Sequence, residues 1–397
     1  MRYERASESS LIDGIVRFGQ RGWRRAARPG REKSDYFRRR PQRRATLGRM
    51  NFMEAMAGFP VLRLRLTVTA RETLKLPRDN KGNTLRGAFG GLFRQLACVP
   101  ECREAKSCPL DAVERASGEA HPCPYREIFE PAPPKWAGRL SRNQDAPRPF
   151  VFRPPLTEQT TWQPGESFDF ELLLFGRATR ALPWFVLAFR AVTESGFGLN
   201  RAKCELSRVV ALRPDEREDL IYRGEEATLR EAAADTIAAW IAEPLAKLRI
   251  LPQSESVRIV FLTPTLLKAA DKVVVAPEFH HLLKRIRDRV NALSSFYGPG
   301  PIEADFAGIG RLAEEVQTAS EHLAWKERSR TSSRTGQRHA LAGVEGAIEI
   351  KMAPADGEIL LPWLTAGQLT HVGRYSVWGF GEIGIMSPDR LCRKLWN

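Results

Sequence analysis

Leu-Pro-Trp at 182–184 is followed by Gly-Phe-Gly at 196–198, and both tripeptides recur, as Leu-Pro-Trp at 361–363 and Gly-Phe-Gly at 379–381. The second interval is longer by four residues, which fall around 372–378. Repetition of two tripeptides in the same order and context indicates two copies of one supersecondary unit. We therefore predict that the chain is an internal duplication.

The residues around the first copy predict an ordered series of strands and helices. Alternation of apolar and polar residues at 62–70 predicts a half-buried strand, and a second strand is predicted at 167–175. A helix capped by Asn83 or Thr84 follows the first strand, and a helix over 183–192 follows the second. With a last strand over 203–210, this order matches the ferredoxin-like split β-α-β arrangement.

The second copy repeats the series. Strands are predicted at 257–262, 347–352 and 382–386, a basic amphipathic helix at 278–293, and a short helix that opens at Leu361. We therefore predict the α+β class, with two tandem ferredoxin-like domains and a Cys-rich insertion in the first.

Composition divides the chain. An N-terminal domain is predicted at 50–211, interrupted by a Pro- and Cys-rich insertion at 98–155, and a C-terminal domain with a glycine-rich turn at 251–397. Residues 212–250 are predicted to be a linker and helix. Residues 1–49 carry fifteen Lys or Arg and five Asp or Glu, and so hold most of the net charge of +15. They predict a disordered extension, with a nucleic-acid-binding arm as the alternative.

Composition also limits location. The fractions of hydrophobic (43%) and charged (27%) residues are those of a globular protein. The longest uncharged apolar stretch, 181–189, is far shorter than the ~20 residues of a membrane span. No secretory signal is visible. We therefore expect a cytoplasmic protein without a membrane partner.

Four of the six cysteines cluster within the insertion, at Cys98, Cys102, Cys108 and Cys123. In a cytosolic chain such clustering favours metal over disulfides, and four thiolates would form a closed structural zinc site. No Cys-x-x-Cys pair is present, and an iron–sulfur centre or free thiols are the alternatives.

Two segments carry clustered cations. No apolar residue separates Trp325 from Ala340, which predicts an exposed loop that binds a nucleic-acid backbone. Its cationic residues are Lys326, Arg328, Arg330, Arg334, Arg338 and His339. The helix at 278–293 adds a basic face that includes Lys284 and Arg287. A solvated surface is the alternative interpretation of both segments.

The C-terminal glycine-rich turn combines several functional side chains. Its glycines, Gly373, Gly379 and Gly381, would let backbone N–H groups approach a phosphate. Arg374 offers a guanidinium to a phosphate, and Tyr375 and Trp378 offer faces for bases. His371 could act as a general acid or base. The alternative is a hairpin turn whose aromatic side chains pack in the core.

Taken in order, short segments of both halves resemble a known family. They are LRGAFGGLFRQLAC (85–98), CPYREIFEP (123–131), PRPFVFRPP (147–155), GESFDFELLLFGRA (165–178), GFGLNRAKCEL (196–206), FLTPTLL (261–267), RHALAGVEGAIEI (338–350) and HVGRYSVWGFGEIGI (371–385). The family is the repeat-associated mysterious protein (RAMP) superfamily of CRISPR systems. Within it, the resemblance is to the endoribonuclease that processes CRISPR precursor RNA.

The resemblance implies RAMP-like domains, related to RNA-recognition motifs, and cleavage within repeat RNA without a catalytic cofactor. Attack by a 2′-hydroxyl would leave a 2′,3′-cyclic phosphate, and the product would pass to subunits of a CRISPR effector complex. Members often place a His in or near the first helix, where this sequence has Lys81 and Arg86. We therefore predict His371 as base or acid, Arg374 or a cation of the segment 325–339 on the phosphate, and Tyr375 orienting the sugar or a base.

Two further functions are open at this point. A non-catalytic RAMP subunit that binds guide RNA would explain the first helix without histidine. A zinc-stapled DNA-binding regulator would also use a basic surface, although the sequence contains no recognisable recognition helix.

Overall fold

The computed structural model describes residues 52–99, 102–103, 123–131, 146–249, 256–331, 338–387 and 390–391. The predicted extension at 1–49 and most of the predicted insertion at 98–155 lie outside these residues. Among the described residues, no helix is long and apolar enough to cross a membrane.

The elements are numbered here in chain order. The helices are α1 (Phe52–Ala57), α2 (Lys81–Ala97), α3 (Pro124–Ile128), α4 (Leu182–Ser195), α5 (Ile237–Arg249), α6 (Phe279–Tyr297), α7 (Phe306–Glu315) and α8 (Pro354–Thr370). The strands are β1 (Pro60–Ala70), β2 (Leu74–Lys75), β3 (Phe150–Arg153), β4 (Thr161–Trp162), β5 (Ser167–Phe175), β6 (Cys204–Leu212), β7 (Glu218–Arg223), β8 (Thr228–Leu229), β9 (Asp235–Thr236), β10 (Val257–Thr265), β11 (Leu267–Ala269), β12 (Lys272–Val274), β13 (Gln317–Thr331), β14 (Arg338–Lys351), β15 (Ile383–Ser387) and β16 (Arg390–Leu391).

The first domain is an antiparallel sheet in the order β3-β5-β1-β6, extended by β7 and β8. Leu64 and Leu66 of β1 are buried in the same apolar cluster as Phe89 of α2 and Phe185 of α4. The last two rings stack with centroids 4.3 Å apart. Because side chains alternate along a strand, the arginines and threonines of β1 lie on the opposite face.

The second domain repeats this topology with the order β13-β14-β10-β15. In each domain the strand before the first helix lies between the third and the fourth strands of the series, as in a ferredoxin-like fold. The predicted α+β class with two tandem ferredoxin-like domains is therefore confirmed.

One apolar cluster connects the two domains. It contains Phe175 of β5, Ile241 of α5 and Phe296 of α6, together with Ile259 of β10. The predicted linker at 212–250 thus contributes to the core, and it also contains β7, β8 and β9. The linker prediction missed β7, which pairs with β6 and buries Ile221 and Tyr222.

Three local predictions were wrong. Helix α2 begins at Lys81 after the N-cap Asn80, not at Asn83 or Thr84. Leu361 lies inside α8 rather than opening a helix, and Pro362 is accommodated within that helix. The predicted exposed loop at 325–339 is mostly two strands, β13 and β14. They form because the backbone of β13 pairs with the backbone of β14 although the residues are polar.

Candidate nucleic-acid interface

The predicted glycine-rich turn connects α8 to β15 and contacts the first domain. Gly379 and Gly381 have φ angles of 80° and 73°, which favour glycine. A Cβ on Gly379 would lie 2.6 Å from Cδ of Pro154, and one on Gly381 would overlap the carbonyl of Val372. Gly379 therefore allows close packing between the domains, and Gly381 allows close packing within the turn.

The N–H groups of these glycines donate hydrogen bonds to carbonyl groups of the protein. Gly379 donates to the carbonyl of Ser376 at 3.1 Å, and Gly381 donates to that of Pro264 at 3.2 Å. Gly373, with a φ of 78°, packs against the carbonyl of Leu266. The sequence predicted that these N–H groups approach a phosphate. In this structure the N–H groups of Gly379 and Gly381 are not directed at a phosphate site.

A stack of side chains crosses the domain boundary beside the turn. The rings of Tyr375 and Trp378 are nearly parallel (17°), with centroids 4.9 Å apart. The guanidinium of Arg86, on α2, lies 5.2 Å from the Trp378 ring and 4.5 Å from the Phe129 ring. Tyr375 and Trp378 are half-buried, and Arg374 is exposed. The arrangement offers a partly exposed aromatic surface beside an exposed cation.

Sequence reasoning missed Arg86 and Phe129 as members of this stack. Arg86 lies in the first helix, where the family resemblance had drawn attention to a missing histidine. Its partner Trp378 is far away in sequence, so only the fold brings the two together. Phe129 lies within the segment CPYREIFEP, which carried part of the resemblance, and that was the available signal.

The start of α2 is pressed against the same turn. A Cβ on Gly82 would overlap the carbonyl of Trp378, so the helix approaches the turn as closely as a backbone allows. The neighbouring Lys81 is buried, and its Nζ donates to the carbonyl of Thr157 at 2.5 Å. Burial lowers the pKa of Lys81, against the attraction of nearby Glu158 and Asp79.

His371 is fully buried, with no exposed surface. Its Nε2 accepts a hydrogen bond from Nε of Arg153 at 3.2 Å, and its Nδ1 lies 3.0 Å from the carbonyl of Phe380. Since an arginine N–H only donates, these contacts fit a neutral ring that carries its proton on Nδ1. In this conformation the ring does not reach a bound substrate.

The backbone of His371 is unusual as well. Its φ of 57° and ψ of 172° fall in a region that residues other than glycine rarely occupy. Helix α8 ends at this residue. The strained conformation is held in place by the two ring hydrogen bonds and by the buried surroundings.

Arg153 joins His371 to a buried ionic group of the first domain. Its NH1 lies 3.3 Å from Glu171, which also accepts two hydrogen bonds from Arg63 at 2.8 and 2.7 Å. Burial alone would raise the pKa of Glu171, but attraction by Arg63 and Arg153 outweighs burial and lowers it. The network fixes the start of the glycine-rich turn to the sheet of the first domain.

The cations of the hairpin β13–β14 have different environments. Lys326 is exposed, whereas Arg328 forms ion pairs with Glu345 at 2.7 Å and with Asp79 of the first domain. These carboxylates raise the pKa of Arg328 although burial opposes the shift. Arg328 thus attaches the hairpin to the segment before α2.

Other predicted residues of this hairpin are described only in their backbone or not at all. Arg330 is paired with His339, and Thr331 with Arg338, in the strand register. Arg334 lies outside the described residues. On α6, Lys284 is exposed, whereas Arg287 donates to the carbonyl of Phe306 at 2.6 Å. The structure therefore brings together the residues of the turn with α2 and Arg328, but not Arg287.

The cysteines of the predicted metal site are incompletely described. Cys98, Cys102 and Cys123 are half-buried, and Cys108 lies outside the described residues. Within the described ranges, no three His, Cys, Asp or Glu side chains are grouped as metal ligands. The zinc site stays a prediction.

The second domain matches the model of a known family. Residues 259–383, which include the glycine-rich turn, match the family model of the CRISPR-associated endoribonuclease Cas6. This part of the chain is therefore similar to the Cas6 endoribonucleases. Residues 59–234 match a second family model, which is described as an N-terminal domain. The resemblance to the CRISPR endoribonucleases of the RAMP superfamily is thereby confirmed, and no curated protein sequence matches the chain.

Several solved structures are similar to this chain. A Cas6-RT-Cas1–Cas2 complex is 13% identical, with 85% of this chain and 30% of that chain covered, at a TM-score of 0.52. A partial form of the complex has the same identity and TM-score and is covered over 48% of its chain. Thermus thermophilus Cas6 is 16% identical, with 83% of this chain and 100% of that chain covered, at a TM-score of 0.42. At such low identity the two complexes show the fold alone.

Proposed function

We propose that this protein processes CRISPR precursor RNA by cutting it within the repeat. The observation that carries the proposal is the Cas6 endoribonuclease match over 259–383, which includes the stacked aromatic side chains and Arg374. The substrate is then repeat RNA, and the product is a guide RNA for a CRISPR effector complex.

The stack beside the turn supports binding of a single RNA strand. A base that packs on Tyr375 would extend the ladder of Tyr375, Trp378 and Arg86, and each such base contributes about 1–3 kcal/mol. Arg374 is exposed one residue before Tyr375 and would contact the adjoining phosphate. Lys326 on the hairpin adds an exposed cation in the second domain.

The proposed chemistry is a metal-independent transesterification. The 2′-oxygen loses its proton and bonds to phosphorus, the 5′-oxygen leaves and takes a proton, and a 2′,3′-cyclic phosphate and a 5′-hydroxyl result. Arg374 would stabilise the negative charge that develops on the phosphate, and Tyr375 would orient the ribose or its base. Because His371 is buried, we assign it to positioning the turn rather than to proton transfer.

A non-catalytic guide-RNA-binding subunit is the second candidate function. The observation that favours it is that α2 contains no histidine and that the histidine beside the turn, His371, is buried. Such a subunit would use the same stack and the same cations without cleaving the strand.

Incubation of the full-length protein with repeat RNA in EDTA separates the candidates. Cleavage to a product with a 2′,3′-cyclic phosphate, reduced at least about tenfold in Arg374→Gln, is the expected result. Arg201→Gln, in the corresponding turn of the first domain, is the matched control and should cleave normally. Tight binding without cleavage would instead establish the binding subunit, and preference for duplex DNA would contradict both.

A further inference from the structure

A cavity of about 460 Å³ lies between the two domains. The first domain contributes residues of β1, β3 and β5 to its wall, and the second contributes residues of α8, β10 and β15. The apolar part of the wall is formed by Pro154, Pro155, Leu156, Phe170, Leu262 and Ile383. Pro154 also packs against Gly379, so the cavity adjoins the glycine-rich turn.

The charges of this cavity are unfavourable for a phosphate. Its lining contains two arginines, Arg65 and Arg153, and three carboxylates, Asp169, Glu171 and Glu382. Both arginines are already engaged in ion pairs, Arg65 with Glu218 and Arg153 with Glu171. The cavity therefore repels a phosphate and suits a neutral group that presents hydrogen-bond donors to a carboxylate.

A buried amide points to the same conclusion. Gln368 is 3% exposed, lines the cavity, and accepts a hydrogen bond from the N–H of Ile385 at 3.2 Å. Its Nε2 has no hydrogen-bond partner among the described residues. Buried donors are normally satisfied, so this one fits a ligand that supplies an acceptor.

We propose that the cavity binds a guanine base of the RNA strand. This inference rests on the proposed function and adds a base preference to it. The Watson–Crick edge of guanine carries an acceptor, O6, beside two donors, N1–H and N2–H. Gln368 would donate to O6, and the carboxylate of Glu382 would accept from both donors. Uracil, cytosine and adenine do not present two adjacent donors beside an acceptor, and the apolar wall would cover the face of the ring.

Oligonucleotide binding tests this assignment directly. The probes are fluorescein-labelled ten-nucleotide uridine RNAs with one central guanosine, inosine, adenosine or cytidine, or none. The wild-type protein should bind the guanosine probe about tenfold more tightly than the all-uridine probe, since a bidentate contact discriminates by this order. Inosine, which lacks the N2 amino group, should fall between them.

Two variants locate the preference. Glu382→Gln replaces an acceptor by a donor and should remove the preference for guanosine while the all-uridine probe binds as before. Glu158→Gln, at a 78% exposed carboxylate outside the cavity lining, should leave the preference intact and controls for general effects of charge. A thermal melt of each variant identifies misfolding. Gln368→Glu keeps the acceptor for the N–H of Ile385 but removes the amide donor, so it should also abolish the preference for guanosine.

The outcomes separate this inference from the proposed function. Equal binding of all probes, a preference for another base, or a guanosine preference that survives both Glu382→Gln and Gln368→Glu would overturn the guanine site, even if repeat RNA is cleaved. Failure to bind any RNA would overturn the proposed function itself.

Discussion

Nε of Arg153 donates a hydrogen bond to Nε2 of His371 across the boundary between the two domains, 218 residues apart in sequence. The same arginine contacts Glu171 in the sheet of the first domain, and the same imidazole contacts the carbonyl of Phe380 in the glycine-rich turn. The conformation of the turn therefore depends on a buried charge of the other domain.

Removal of Arg153 should destabilise the whole molecule. Arg153→Met leaves Glu171 with one cation fewer and His371 without its donor, and the loss of one partner of a buried ionic group costs about 3–5 kcal/mol. Urea unfolding at neutral pH measures the free energy of unfolding. Arg71→Met is the control, because its ion pair with Glu205 involves a 62% exposed side chain and should contribute less than about 1 kcal/mol. Equal losses in the two variants would contradict the role of Arg153.

The contribution of Glu171 should depend on pH. Since folding lowers its pKa below the ordinary value of about 4.3, the carboxylate stabilises the fold above that pH, and the contribution is lost as pH falls through the lowered pKa. Glu171→Gln should therefore unfold more easily than wild type at pH 7, by about 1.5–3 kcal/mol, and the difference should shrink in acid. Urea unfolding at pH 7 and near pH 3 measures it. Glu158→Gln, at a 78% exposed carboxylate, should show a much smaller difference, and a Glu171→Gln difference that is constant with pH would contradict the assignment.

The strands and the duplication were predictable because they leave local patterns in the sequence. The alternation at 62–70 and the repeated tripeptides identified strands and a duplication, because both signals lie within short windows. The strand β13 has no such pattern around residues 325–331, where its residues are polar. It exists because β14 offers a long row of backbone partners, which is a tertiary property.

The candidate site was predictable in its residue types but not in its geometry. Tyr375, Trp378 and Arg374 were identified from their position beside a glycine-rich turn, and they do lie together at the domain boundary. His371 was chosen for its chemistry, but its burial and its hydrogen bond from Arg153 of the first domain depend on the fold. The contacts of Arg153 with His371 and of Arg86 with Trp378 join the two domains, so the sequence alone did not indicate them.

The contact between α2 and the glycine-rich turn can be tested with one methyl group. Gly82→Ala places a Cβ against the carbonyl of Trp378 and should destabilise the protein by about 1–3 kcal/mol or more, since neither backbone can withdraw easily. Gly87→Ala, in the same helix with nothing within 4 Å, should stabilise it by about 0.5–1 kcal/mol. Thermal unfolding compares the two variants, and a stabilised Gly82→Ala would show that the domains do not meet there.

The face of Tyr375 should contribute to RNA affinity independently of its hydroxyl group. Tyr375→Ala removes the outer ring of the stack and should weaken binding of single-stranded RNA by at least about fivefold, whereas Tyr375→Phe keeps the ring and should bind like wild type. Fluorescence anisotropy measures both affinities. Equal weakening in the two variants would assign the contact to the hydroxyl group instead.

Arg374 should contribute a phosphate contact that salt dependence can count. For single-stranded RNA the logarithm of the binding constant falls with the logarithm of salt concentration, with a slope of about −0.7 for each neutralised phosphate. Arg374→Gln should therefore reduce the magnitude of the slope by about 0.7 when binding is measured between about 50 and 300 mM salt. Arg201→Gln removes another exposed arginine, from the corresponding turn of the first domain, and should leave the slope unchanged. If both variants reduced the slope alike, the turn of the second domain would have no special place in RNA binding, and the contact would belong to the general positive charge of the surface.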